Sequence, residues 1–145
     1  MRHNKVFTAA IALGIIACFT MGSAPSASAS PPTPVPVTIT AVFDFSTFPD
    51  VTGTFTTSGA LTISGVSQMN VGLNFNGVRA HCVVTLFPST GGTIIIDQQC
   101  QFATSPPKGR WEIVSGTGAY ANLNGNGSLT MPPNTEAMTG FIYPH

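Results

Sequence analysis

From Val35 to Phe45 the chain reads VPVTITAVFDF, with an apolar or small side chain at every odd position: Val35, Val37, Ile39, Ala41, Phe43 and Phe45. A period of two is the signature of a β-strand with one face buried. Thr38, Thr40 and Asp44 then fall on the solvated face, which argues against a catalytic role for Asp44. The Thr-rich segment GTFTTSGALTISG continues the alternation, with Phe55, Leu61 and Ile63 on one parity. Ser58-Gly59 marks a bend, so this segment is one bent strand or two short ones.

The middle of the chain is the most informative. In VGLNFNGVRAHCVVTLF, Asn76-Gly77 stands between alternating apolar runs, the preferred two-residue type I′ hairpin turn. That turn predicts a register in which Phe75 faces Val78, Leu73 faces Ala80, Val71 faces Cys82 and Met69 faces Val84, all on one face. The next turn, PSTGG, is centred near Gly91. It predicts pairs of Cys82 with Cys100, Val84 with Gln98, Leu86 with Ile96 and Ala80 with Phe102, keeping the same face apolar. The two turns together predict a three-stranded meander. The opposite face carries Arg79, His81, Thr85, Asp97, Gln99 and Gln101, interrupted by Val83, Phe87 and Ile95. Such apolar residues on an outer face suggest an oligomer interface or a second packed layer.

Downstream, KGRWEIV predicts a strand with Trp111 and Ile113 on one side. In GTGAYANLNGNGSLT, the segment Ser115 to Gly118 reads as a tight, irregular turn, because glycine tolerates backbone angles other residues avoid. A phosphate-binding loop would need a helix to follow, and ANLNGNG cannot sustain one. Ala119, Tyr120 and Leu123 instead suit a single turn tucked under a sheet end before GSLTM resumes as a strand. Pro132-Pro133-Asn134 forms the last loop and EAMTGFIY the closing strand. The fold class is all-β.

The first thirty residues change the picture of where the protein works. Arg2 and Lys5 precede an apolar run from Val6 to about Met21, and small residues follow with an Ala27-Ser28-Ala29 site. This predicts a secretory signal peptide over residues 1–29 and a secreted, extracellular protein with no membrane span after processing. A retained helix is disfavoured because the run is short for a span of about 20 residues. A lipoprotein anchored at Cys18, after IIA, is the alternative. Residues 30–36, rich in proline, form an extended linker, and residues 37–145 form one domain.

Export bears on the cysteines. Cys82 and Cys100 are the two that follow the leader, and the predicted register sets them opposite each other, so a Cys82–Cys100 disulfide is expected. Closing a loop of about 19 residues stabilises by roughly 3 kcal/mol. Two free buried thiols are the alternative. No metal site is expected, since His81 points away from that face.

Charge excludes some partners. Three cations (Arg79, Lys108, Arg110) and five carboxylates follow the leader, a net charge of −2. No basic patch is expected, which argues against nucleic acid and anionic membranes. Gln98 is the polar member of the inward face, and a buried amide needs partners. It could orient a ligand, or be satisfied by backbone, water or the rim. The ligand-facing candidates are Gln98, Trp111 and Tyr120.

GTFTTSGALT, then WEIVSGTGAYANLNGNGSLT, then MTGFIY together resemble the bacterial exported members of the allene oxide cyclase and dirigent superfamily. The similarity covers most of the exported part loosely and about 30 residues well. The resemblance implies an eight-stranded antiparallel β-barrel around an apolar cavity, consistent with the period-two strands. Ser115 replaces the first glycine of the usual pair, and Asn124-Gly125 stands where dirigent-like chains often carry Arg-Gly. That arginine belongs to the dirigent cavity, so its absence argues against their chemistry. Cyclases of the superfamily use a buried carboxylate, whereas Asp44, Asp97 and Glu112 all lie on polar parities.

No G-x-S-x-G elbow is present and no catalytic residue is assigned. The five scattered acids give weak support for a glycosidase pair. The favoured function is a secreted, non-catalytic barrel, without cofactor, that binds a small apolar ligand or a protein partner. Two alternatives stand beside it: a cyclase or isomerase acting on an apolar precursor, and a protein-binding module or inhibitor. Homo-oligomers are compatible with each.

Overall fold

The computed structural model describes residues 32–72 and 78–143. The expected leader with its Ala27-Ser28-Ala29 site, the alternative anchor at Cys18 and the expected Asn76-Gly77 turn lie outside the described residues. Eight antiparallel strands close into a barrel in sequence order. They are β1 (Val35–Asp44), β2 (Asp50–Gly59), β3 (Ser64–Val71), β4 (Arg79–Pro88), β5 (Thr93–Gln101), β6 (Lys108–Thr117), β7 (Asn124–Thr130) and β8 (Thr135–Tyr143). Two single 3-10 turns, η1 (Phe45–Thr47) and η2 (Gly118–Tyr120), sit in the connections. Among the described residues no helix is long and apolar enough to cross a membrane.

The predicted alternation holds along β1, where Val37, Ile39, Ala41 and Phe43 are buried and Asp44 is exposed. Phe45 departs from it: the chain turns into η1, Asp44 Oδ1 accepts the Ser46 backbone N–H, and the Phe45 ring lies 43% exposed. The first strand starts at Val35, two residues before the expected domain boundary. The Thr-rich segment resolves into two strands. β2 ends at Gly59, with φ +93°, and Thr57 Oγ1 ties down the connection by donating to Leu61 O and accepting the Ile63 N–H.

The β3/β4 register is the predicted one, with Val71 facing Cys82 and Met69 facing Val84. The β4/β5 register is not. Cys82 faces Gln98, Ala80 faces Cys100, Val84 faces Ile96 and Leu86 faces Ile94, each pair displaced by two residues from expectation. The reason is the turn. Gly91 N–H bonds to Pro88 O and both Gly91 and Gly92 have positive φ, which centres the hairpin on Thr90 rather than Gly91. Moving the centre of a hairpin by one residue moves every pair by two and leaves each side chain on its original face.

β6 also runs further than expected. Ser115, Gly116 and Thr117 stay in the strand, and a one-residue bulge at Val114 shifts the pairing with β5 from Ile96–Ile113 to Ile95–Ser115. The irregular turn is η2, entered at Gly118 with φ +62°. β7 begins at Asn124, three residues before GSLTM.

The core is the barrel interior. Trp111, Phe55, Ile39, Met69, Leu86, Ile94, Ile96, Leu129 and Met138 are its largest fully buried side chains. An eight-stranded barrel is just wide enough for side chains to fill it or for one small ligand. Gly127 and Gly140 face each other on β7 and β8. The Trp111 indole lies across them and donates its N–H to Ser128 O (3.0 Å) and Thr139 O (3.3 Å).

Candidate functional site

One carboxyl group stands inside this apolar barrel. Glu136, on β8, is 1% exposed and on the parity of the buried Met138 and Ile142. Its partner crosses the barrel from β5: Gln98, fully buried, donates from Nε2 to Glu136 Oε1. The same amide nitrogen lies 3.4 Å from Met138 Sδ. The second carboxyl oxygen, Oε2, has no hydrogen-bond partner among the described residues, nor does the Oγ of buried Ser67 on β3.

An unpaired polar atom in an apolar interior costs free energy unless something binds to it. Desolvation disfavours the carboxylate and pushes the Glu136 carboxyl up to about 7, while the hydrogen bond from Gln98 partly offsets that rise. Below that pH the group is a neutral acid. It can then donate a hydrogen bond as well as accept one, a pattern that buried acids use in binding and catalysis.

Beside this pair lie the two cysteines. They are diagonal neighbours on β4 and β5, not opposite ones, and their Sγ atoms are 3.8 Å apart as buried free thiols. A disulfide has S–S near 2.05 Å, so the expected bond is not formed in this structure. Cys100 donates its S–H to Cys82, which holds the Cys82 thiol below its usual range and Cys100 above it; burial raises both. Cys100 Sγ also lies 4.0 Å from Gln98 Oε1, connecting the thiols to the amide.

Gln98 therefore faces inward as expected, but its partner is Glu136, which was not among the expected site residues. Trp111 is 2% exposed and engaged with the backbone of β7 and β8, a packing role. Tyr120 is buried at the opposite barrel end from the Arg79, Gln101 and Lys108 termini, where its hydroxyl meets Thr90 Oγ1 at 2.9 Å. Gln98 and Trp111 are cross-strand neighbours on β5 and β6, both facing inward, while Tyr120 stands apart at the barrel end. Asp97 and Glu112 lie outward as expected, and Asp97 pairs with His81 at 2.7 Å. Among the described residues no group of three or more His, Cys, Asp or Glu is placed to hold a metal ion.

No family model matches the chain, and no curated protein or solved structure matches it. The assignment of function therefore rests on the residues and their geometry.

Proposed function

We propose that the protein is an exported, non-catalytic β-barrel that binds a small, mostly apolar ligand carrying one hydrogen-bonding group, with Glu136 and Gln98 as its polar anchor. The observation that carries this reading is the Glu136 Oε2 atom, buried and without a hydrogen-bond partner among the described residues, in a mostly apolar interior. A ligand hydroxyl or carbonyl would satisfy it, and the apolar remainder would lie against the barrel wall. Met69 and Met138 in that wall are unbranched and can repack around a guest. The signal-peptide reading of residues 1–29 supports export.

Native mass spectrometry of the protein purified from its host's culture medium, compared with the denatured intact mass, tests the reading. The expected result is a small-molecule adduct that is lost on denaturation and absent from Glu136→Gln. A clean apoprotein mass that persists after incubation with a lipid extract of the same culture overturns it.

A second reading, a cyclase or isomerase of the kind the superfamily resemblance implies, is favoured by the same carboxyl. An acid titrating near neutrality is suited to proton transfer. An adduct recovered chemically altered, in wild type but not in Glu136→Gln, would select this reading.

The two Sγ atoms lie 3.8 Å apart, and we propose that in an oxidising compartment Cys82 and Cys100 join as a disulfide in the exported form. Alkylation before and after reduction should label both cysteines only after reduction. Labelling in the unreduced, denatured protein would show them to be thiols.

A further inference from the structure

The three cations that follow the leader are scattered in sequence, yet the barrel registers gather all of them. β4 pairs Arg79 with Gln101 of β5, and Gln101 pairs with Lys108 of β6. One row further along, His81 pairs with Gln99, and Gln99 with Arg110. All of these residues are on the outward parity of their strands. They line a cleft of about 800 Å³ on the outer wall, continued on β7 by Ser128 and Thr130. The part of the chain after residue 29, with net charge −2, has thereby placed its three Lys and Arg side chains in one concavity.

The chemistry of the lining is specific. Two guanidinium groups and an ammonium stand on β4 and β6, two strand spacings or roughly 10 Å apart. The amides of Gln99 and Gln101 lie between them, and the hydroxyls of Ser128 and Thr130 extend the cleft beyond β6. Guanidinium groups bind carboxylates bidentately, and side-chain amides and hydroxyls both donate to and accept from hydroxyl groups. The adjoining outward row holds Asp97, which pairs with His81, and Glu112. These carboxylates repel an anion from that side, so a bound polyanion is directed across the strands, from β4 towards β7, along the cationic rows. No Phe, Tyr or Trp side chain lines the cleft to stack on nucleobases, and its one imidazole, His81, is held by Asp97.

We propose that this outer cleft binds an acidic polysaccharide, a chain of uronate sugars whose carboxylates pair with Arg79, Lys108 and Arg110 while its hydroxyls meet the intervening amides and hydroxyls. This site is on the outer wall and is independent of the interior Glu136 site.

Isothermal titration of the exported chain with a hexamer of galacturonate, at near-physiological salt, tests the assignment. Saturable binding that weakens as salt is raised is expected. Arg110→Gln and Lys108→Gln, both exposed and checked for unchanged melting temperature, should each weaken it by about tenfold. A neutral dextran hexamer should not bind. Absence of galacturonate binding, equal binding of dextran, or unchanged affinity in both variants overturns the proposal. Tighter binding of oligothymidylate or of anionic phospholipid vesicles than of galacturonate also overturns it, assigning the cleft to nucleic acid or to a membrane surface.

Discussion

Glu136 shows how much one side chain can decide inside a small barrel. Its folded pKa, about 7, lies above the ordinary value of 4.5. The folded state therefore holds a proton that the unfolded chain has released across that window. The contribution of this group to stability is largest below about pH 4.5, falls as the pH rises towards 7 and is lost above it, on the order of 3 kcal/mol. Denaturant titrations at pH 5 and pH 8 should show this fall in wild type. In Glu136→Gln the dependence should flatten, with the variant more stable than wild type at pH 8; a wild-type curve independent of pH over that range would mean that the carboxyl is solvated. The signal for this residue was available in the sequence. EAMTGFIY places Glu136 on the parity of Met138 and Ile142, and a strand in a closed barrel has an inner face. Asp44, Asp97 and Glu112, by contrast, lie on polar parities and face solvent. Gln98 was legible for the reason Glu136 could have been: it interrupts an apolar parity.

At the level of strands, alternation fixed which face each residue occupies, and turn chemistry fixed which residues are neighbours. The two kinds of information are not equally secure. Parity survived everywhere it was assigned along β4 and β5, including under a two-residue error in register, because an even displacement does not exchange the faces. The cross-strand neighbours did not survive it, which is why Cys82 meets Gln98 and reaches Cys100 only diagonally. A two-glycine turn leaves its own centre ambiguous in sequence. The cationic cleft was harder still to foresee, since it needs the β4/β5 and β5/β6 registers to be right at once. The β7/β8 pairing carries its own test. A methyl group at Gly140 would come within 2.1 Å of Asn126 O and 2.8 Å of the Trp111 ring. Gly140→Ala should therefore force the strands apart and displace the indole, destabilising the fold by about 3 kcal/mol or more. Melting curves and a shift in tryptophan emission would report it; an unchanged Tm would show that Trp111 does not pack on the glycine pair.

The barrel is a sheet without edges, and that property depends on one seam. β1 and β8, the first and last strands, pair along their length from Val35–Ile142 to Val42–Thr135. Ending the chain at Thr130 removes β8 and leaves both β1 and β7 with open hydrogen-bonding rows. Such a truncation should aggregate or remain unfolded, as seen by gel filtration and circular dichroism; a soluble, folded seven-stranded product would show that closure is dispensable. The seam also sets a schedule. Strands emerge from the ribosome in the order in which they lie around the wall, so each hairpin can form as it appears, yet the ring cannot shut until Tyr143 is out. Until β8 is made, the edge of β1 that it covers has no partner strand. A barrel built this way stays an open sheet until β8 is present, and it closes wherever that strand meets β1.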